Sequence, residues 1–494
     1  MSSKEKRGEK EDTKRGVAYR PFGPPSKKVE ETLSIALQHH RAGRFKEAEY
    51  CYRQVLESVP HDVDVLCNLG AVLMSQGRLD EAKDSLTEAI SLDRNHAISN
   101  YNLGNVLKKQ GMIEEAKDKF LRAIDSDRTH AGAHFNIGNI YFEEGKLDEA
   151  LLYFRNTISL DPGHIAANLN MGNVLKAQGK PDEALTSYRN VLAGDENNTA
   201  AYHNIGIILK AQGKIDEAID AYNRAIKIEP ENSSAQNNLG NLLKDSGRID
   251  EAVQCFRRAV DLDYDNASAR HMLAALTGMK TEAAPGQYVR ELYDRYADNF
   301  ESHLVGTLSY DIPAVLMDML YDLLGEDVRF DHAVDLGCGT GLAGEKIRPL
   351  TDRLEGIDIS PVIIEKAGKK NLYDALMEGD IVDVLNESAE RYDLFVAADV
   401  FIYTGNLAPV FSSVKRCSKI KSYFAFSTEV NLGDDYILRP TGRYAHSFSY
   451  IQTLAKKHGF KIVKHRPEAI RMEKEEEISG DVYILELNSG VASE

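Results

Sequence analysis

The sequence predicts two architectures in one chain, an all-α superhelical solenoid followed by an α/β domain built on a parallel sheet. Three observations predict it. Gly43, Gly77, Gly111, Gly145, Gly179, Gly213 and Gly247 recur every 34 residues. The period stops near residue 278, and short apolar runs then alternate with helical patterns. The first of these runs leads into a glycine-rich turn, HAVDLGCGTGLAG, from His332 to Gly344. A chain of 494 residues also exceeds what one hydrophobic core accommodates.

The N-terminal stretch MSSKEKRGEKEDTKRG is of mixed charge with little to bury, and PFGPPSKK follows, so residues 1–29 are expected to form a disordered tail. A formal net charge of −17 argues against nucleic-acid binding and adhesion to anionic membranes by the whole molecule. The stretch lacks the apolar core of a signal peptide, and no run approaches membrane-spanning length. Cys51, Cys67, Cys255, Cys338 and Cys417 are scattered, with no CxxC pair. That spacing disfavours a disulfide framework and a metal site and suits a cytoplasmic protein.

Two further columns keep phase with the glycines. Ala48, Ala82, Ala116, Ala150, Ala184, Ala218 and Ala252 form one, and Tyr52, Leu86, Phe120, Phe154, Tyr188, Tyr222 and Phe256 the other. Each unit reads as two amphipathic helices around a glycine turn, NYNLGNVLKKQ then IEEAKDKFLRAIDSD for example. The small residues let helices approach, and the large ones fill the space between them. The pattern resembles the tetratricopeptide repeat, in seven units over about residues 30–270. The family's usual tryptophan is missing, and its helix-ending proline stands only at Pro60, Pro162 and Pro230. HMLAALTG (271–278) reads as a capping helix that closes the solenoid, giving a domain of residues 30–278.

Asn68, Asn102, Asn136, Asn170, Asn204 and Asn238 recur on the first helix of successive units. Asn105, Asn139, Asn173 and Asn241 share that face three residues on, and Lys108, Lys176, Lys210 and Lys244 follow after three more. Asparagine is a poor helix former, so a sixfold column suggests selection for something other than helix stability. An amide offers donor and acceptor together, and a ladder of amides suits the backbone of an extended peptide. The arrangement resembles the asparagine ladder of the O-linked N-acetylglucosamine transferases. By that resemblance the face lines a groove for a protein or peptide partner, with the lysine row favouring acidic segments. The alternative is that these amides bond neighbouring repeats or solvate a curved face.

GMKTEAAPGQ reads as a linker, placed at residues 279–287, before a domain of residues 288–490. HAVDLG, LEGIDI, ALMEGDI, YDLFVAAD and KSYFAFST are the expected parallel strands. KIVKHRPEAIR and DVYILELNS would complete the sheet as an antiparallel hairpin. In such sheets ligands bind beyond the carboxyl ends of the strands. The dinucleotide fingerprint needs glycine where Leu342 stands, and the P-loop's GKS or GKT ending is absent.

The D-x-G-x-G-x-G pattern of Asp335, Gly337, Gly339 and Gly341 resembles motif I of the class I S-adenosylmethionine-dependent methyltransferases. The segments YVRELYDRYADNFESHLV, AADVFIYTGNLAPVF and PTGRYAHSFSYIQTLAKKHGF extend the likeness to a bacterial family of repeat-containing methyltransferases. The resemblance implies a Rossmann-like fold with S-adenosyl-L-methionine as cofactor. The glycines would approach its amino-acid part, and Asp358, with Ile359 beside it, would take the ribose hydroxyls. Asp380 and Ile381 would meet the adenine, Ala398 would lie under the methyl group, and Tyr296 would help cover the site.

Methyl transfer chiefly requires alignment of a nucleophile with an activated methyl group, so no strict triad is expected. Candidate catalytic residues are His446, Asp399 and Tyr403, with Tyr293, Arg443 and Tyr444 further possibilities for the acceptor pocket. His446 has the right intrinsic basicity for a general base, but a structural hydrogen bond explains it equally well. Cys338 reads as a small filler of the turn, because no adjacent base supports a nucleophile. Three functions follow: a methyltransferase whose groove recruits a protein, one with a small-molecule acceptor and a solenoid used for assembly, or a cofactor-binding scaffold without turnover.

Overall fold

The computed structural model of the chain describes residues 26–297, 301, 310–473 and 476–487. The expected tail lies outside them up to residue 25, and its last residues are helical, since the first helix starts at Lys27. The chain packs as two units, one ending at Ile208 and the other beginning at Leu209.

Fourteen helices among the described residues form seven pairs, from α1 (Lys27–Arg41) and α2 (Phe45–Ser58) to α13 (Ser233–Asp245) and α14 (Ile249–Leu262). The first unit holds the first five pairs. The seven periodic glycines all turn between paired helices at φ of 70–78°, a left-handed conformation that glycine adopts without steric cost. All seven column alanines are fully buried. The large column packs on a second glycine column: a Cβ added at Gly138 would stand 2.7 Å from the Phe154 ring, and one at Gly104 would stand 2.6 Å from Phe120. Gly138→Ala is therefore expected to lower stability by about 1–3 kcal/mol despite its better helix propensity. Urea unfolding followed by circular dichroism measures it.

A further column emerges only in the structure. Asp62, His96, His130, His164, Asn198, Asn232 and Asn266, again 34 apart, each accept a hydrogen bond from the backbone N–H three residues on. These are helix N-caps, with histidine Nδ1 standing in for the usual oxygen in three of them.

In the second unit α15 (Ala267–Thr277) is the expected capping helix and ends at left-handed Gly278. The following segment is docked rather than a free linker. Gly405 N and Asn406 N donate to Glu282 O, both at 2.8 Å, and Ala284 N donates to Tyr403 O at 2.8 Å. Thr281 Oγ1 bonds Tyr444 OH at 2.6 Å, and His271 Nε2 lies 2.8 Å from Gly442 O.

Beyond α16 (Gly286–Tyr296) and α17 (Ile312–Leu324) come β1 (Phe330–Leu336), α18 (Leu342–Ile347), β2 (Thr351–Asp358), α19 (Pro361–Lys369), β3 (Ala375–Glu378), α20 (Ile381–Glu387) and β4 (Tyr392–Ala397). After these follow α21 (Ala408–Cys417), β5 (Ser418–Val430), β6 (Tyr436–Leu438), β7 (Tyr444–His446), α22 (Phe448–His458), β8 (Phe460–Glu473) and β9 (Glu476–Leu487). The strand order is β3-β2-β1-β4-β5-β7-β6, with β3, β2, β1, β4 and β5 parallel. The expected hairpin is β8–β9, and β9 pairs antiparallel with β5. The short β6–β7 hairpin was not expected from the sequence.

Alternation along the strands divides the core in two. Val334, Phe395, Ala397, Phe424 and Phe426 enter one layer with Phe411 and Ile451. Ala333, Leu394, Val396 and Ala425 enter the other with Leu316 and Leu320. Helices thus contribute to the core on both faces of the sheet. Among the described residues no helix is long and apolar enough to cross a membrane, and no group of three or more His, Cys, Asp or Glu is placed to hold a metal.

Candidate functional site

A cavity lies at the carboxyl ends of the parallel strands, as expected for an open α/β sheet. Its floor is the turn between β1 and α18. Gly337, Gly339 and Gly341 have φ of 71°, 54° and 93°. A Cβ at Gly337 would come within 2.7 Å of Val400, so the turn tolerates only glycine there. Gly337, Cys338, Gly339 and Thr340 line the cavity, while Gly341 caps α18 from outside the lining.

Asp358 ends β2 and organises the turn from across it. Its Oδ2 accepts from Gly339 N at 2.9 Å and its Oδ1 from Ser360 N at 3.0 Å. A carboxylate has about four acceptor sites, so capacity remains on the side facing the cavity. Burial raises its pKa, and the backbone donors oppose that shift. Ser360 caps α19 and donates to Asp294 Oδ1 at 2.5 Å, tying α16 to the end of β2. Asp380 caps α20 through a 2.8 Å bond from Val382 N, and Gly379, Asp380 and Ile381 form the adjoining wall.

The opposite wall is Ala398, Asp399, Val400, Tyr403 and Thr404, with Tyr293 and Tyr310. The Tyr293 and Tyr403 rings meet edge to face, 5.8 Å apart. Ala283, Ala284, Gly286 and Val289 complete the lining, so the segment read as a linker is in part a wall of the cavity. Nothing in GMKTEAAPGQ signals this, since small residues suit a wall and a linker alike.

Ten of the expected cofactor and catalytic residues converge here: Gly337, Gly339, Asp358, Ile359, Asp380, Ile381, Ala398, Asp399, Tyr403 and, from the possibilities, Tyr293. Asp335 does not line the cavity. It is buried beneath the turn, where its Oδ2 accepts from Tyr373 OH at 2.7 Å and its Oδ1 has no hydrogen-bond partner. Burial pushes its pKa up to about 7. The side chain of Tyr296 lies outside the described residues. Cys338 is buried and its thiol pKa is pushed well up, in keeping with a filler of the turn.

His446 is placed away from the cavity lining, which favours the structural hydrogen bond of its two readings over the base. It is fully buried, with Nε2 2.9 Å from Thr404 O and 3.0 Å from Gly405 O. Two carbonyl acceptors place the proton on Nε2, and the ring thereby fixes the loop that carries Tyr403. Burial pushes its pKa down to about 4. The unfolded chain binds a proton near pH 6.5 and the folded chain does not. Stability associated with His446 is thus complete above pH 6.5 and falls as pH drops toward 4, by about 3 kcal/mol at most. Urea midpoints across that window should fall more steeply in the native chain than in His446→Gln.

Two residues missed in the sequence, Arg471 and Glu429, form a buried cluster with Asp399. Arg471 of β8, with a side chain 1% exposed, bonds both Asp399 oxygens at 2.9 and 2.8 Å and also pairs with buried Glu429 of β5. Glu429 further accepts from Arg439 at 3.1 Å and lies 4.0 Å from Arg443. These residues are far apart in sequence, and only the register of β5, β9 and β8 brings them together.

On the repeat face, the ladder amides meet one another. Asn136 Nδ2 donates to Asn105 Oδ1 at 3.1 Å and Asn170 Nδ2 to Asn139 Oδ1 at 2.7 Å. Asn102 donates to Cys67 Sγ at 3.4 Å, and Lys176 Nζ donates to Asn204 Oδ1 at 2.6 Å. In the second unit Lys210 pairs with Asp245 at 2.9 Å. Asn102, Asn136, Asn170 and Asn204 stay partly exposed, so the ladder is both a link between repeats and an accessible polar row.

Comparison with known proteins agrees with this geometry. Tetratricopeptide-repeat family models match residues 72–111 and 207–247, 101–165, 141–206 and 233–266. A methyltransferase-domain family model matches residues 330–473, the stretch that carries the glycine turn and the strand-end residues. The chain joins tetratricopeptide repeats to a methyltransferase domain. It is similar to human methyltransferase-like protein 27, 35% identical over 85 residues, 17% of this chain and 34% of that protein. It is also similar to nodulation protein S of Rhizobium tropici, 33% identical over 78 residues, 16% of this chain and 33% of that protein. The chain thus spans about a third of the length of these relatives. Among solved structures, YrrB, a repeat protein with an unusual peptide-binding site, is 24% identical. The match covers 38% of this chain and 97% of YrrB at a TM-score of 0.35. MamA is 30% identical over 33% of this chain and 95% of its own, at a TM-score of 0.30. Most of the cavity lining, from Gly337 to Thr404, falls within the stretch that the methyltransferase-domain model matches.

Proposed function

We propose that the methyltransferase domain, residues 288–490, transfers a methyl group from S-adenosylmethionine, and that the repeats of residues 30–278 recruit a protein or peptide acceptor in the cytoplasm. The observation that carries the donor assignment is convergence: the glycine turn, Asp358 and the Asp380–Ile381 wall face one cavity. Two features suit this donor. The turn is a cradle that a Cβ at Gly337 would fill, and Thr340 offers a buried hydroxyl in the lining.

Asp358 would hold the ribose hydroxyls and Ile381 would pack on the base, with Asp380 beside it. Gly337 and Gly339 would let the amino-acid part approach the backbone. A bound S-adenosylmethionine supplies a methyl group already activated on a sulfonium. What remains for the chain is to exclude water and align the acceptor, tasks suited to Tyr293, Tyr310 and Tyr403. Orientation of this kind contributes on the order of 7–11 kcal/mol in favourable reactions. With His446 outside the lining, no neutral imidazole serves as base among the described lining residues.

The cross-repeat amide pairs favour a second reading, in which the ladder stiffens the solenoid for assembly and the acceptor is a small molecule. Cell extract incubated with the protein and tritiated-methyl donor separates the two. Label in the protein fraction, reduced by Asn136→Ala with Asn170→Ala, is the expected result. Label confined to small molecules overturns recruitment.

A further inference from the structure

We propose that Arg471 is a positioning residue: it holds Asp399 as a fixed carboxylate in the cavity wall, so that the site prefers the cationic methyl donor to its neutral thioether product. The inference rests on the S-adenosylmethionine reading above.

Asp399 is one of two non-glycine residues at positive φ among the described residues, at 57°. That conformation costs about 1 kcal/mol or more, and it turns the side chain at the end of β4 into the wall of the cavity. Two contacts hold it there. Asp399 N donates to Ser427 Oγ at 2.8 Å, and Arg471 Nη1 donates to both carboxylate oxygens. Arg471 itself does not line the cavity and is fully enclosed. It stands between two carboxylates, Asp399 and Glu429; Arg439 and Arg443 flank Glu429, and of the two acids only Asp399 presents its carboxylate to the cavity.

The remaining charged and titratable groups that face Asp399 are Arg443 from the β6–β7 turn, Tyr403 from the loop after β4, Tyr293 from α16, and Tyr310 ahead of α17. Burial works to protonate Asp399, and the charge of Arg471 is the largest influence opposing it. None of the described lining residues is basic. Methyl transfer breaks the S–CH3 bond and leaves its electron pair on sulfur, so the sulfonium becomes a neutral thioether. A fixed anion in the wall therefore favours the donor over S-adenosylhomocysteine by Coulomb attraction.

Calorimetric titration of the full chain with each compound at several pH values from about 6 to 8 tests this. The native protein is expected to keep a constant ratio of the two affinities across the window. Arg471→Met combined with Glu429→Gln removes one positive and one negative charge, which leaves the net charge of the buried cluster unchanged. Its ratio is expected to fall about tenfold from pH 8 to pH 6, as burial of Asp399, now opposed by Arg443 without Arg471, returns a proton to the carboxylate. Arg471→Lys, which retains the charge, should restore the flat profile. Asp399→Asn should show the low ratio at every pH.

A native-like ratio at all pH values in the double variant, or in Asp399→Asn, overturns the proposal while leaving the donor assignment standing. Native protein that binds neither compound overturns the donor assignment, and this proposal with it.

Discussion

Asp358→Ala is expected to weaken S-adenosylmethionine binding by about 10- to 100-fold, the loss of 1.5–3 kcal/mol that accompanies removal of a charged hydrogen-bond acceptor. Two effects combine. The carboxylate loses its remaining acceptor sites toward the cavity, and Gly339 N and Ser360 N lose the partner that sets the shape of the turn. The fold itself should be affected far less, because burial opposes ionisation of this carboxyl and its removal relieves that cost. Calorimetry gives the affinity and thermal unfolding gives the stability. Unchanged affinity with an unchanged melting temperature would remove Asp358 from the donor site.

Asp335→Asn is expected to act in the opposite sense, stabilising the protein. Burial raises the Asp335 pKa to about 7, whereas the unfolded chain ionises near 3.8. Below pH 4 both states are protonated and the residue costs nothing. Between about pH 4 and 7 the unfolded state gives up its proton while the folded state keeps it, so stability is lost as pH rises. The loss levels off above 7 at about 4 kcal/mol, an upper bound from three pKa units at 1.36 kcal/mol each. Asparagine cannot ionise and can still accept from Tyr373 OH. The stability difference between variant and native chain should therefore grow from pH 4 to 7 and then hold level in urea titrations. A difference independent of pH would mean that Asp335 is ionised in the fold throughout. An acid kept at this expense beneath the glycine turn, with one oxygen unpartnered, is what the proposed donor site predicts where stability is traded for a site.

Much of the site was legible in the sequence because its chemistry is local. Gly337, Gly339 and Asp358 belong to strand ends and turns whose spacing follows from helix and strand lengths, and Asp380 and Ile381 follow by the same logic. The capping column escaped notice because its residue type changes from aspartate to histidine to asparagine, although each performs the same capping bond. The strap at 279–286 escaped because the bonds that pin Glu282 and Ala284 are made by backbone, which leaves no mark on side-chain identity. His446 carried the wrong suggestion: its residue type suits a base, and only its burial against Thr404 O and Gly405 O shows what its proton does.

The sequence by itself determined the seven-unit repeat, the order of parallel strands and helices, and the glycine turn with its acidic neighbours. Each of these depends on contacts at short or constant separation along the chain: one helix turn, one strand alternation, or one step of 34 residues. Only the tertiary structure decided which carboxylate is clamped, which histidine is buried, and that the segment after the last repeat walls the cavity. Those outcomes depend on residues brought together across the sheet, as Arg471 and Asp399 are from 72 positions apart, and no local pattern encodes such a meeting.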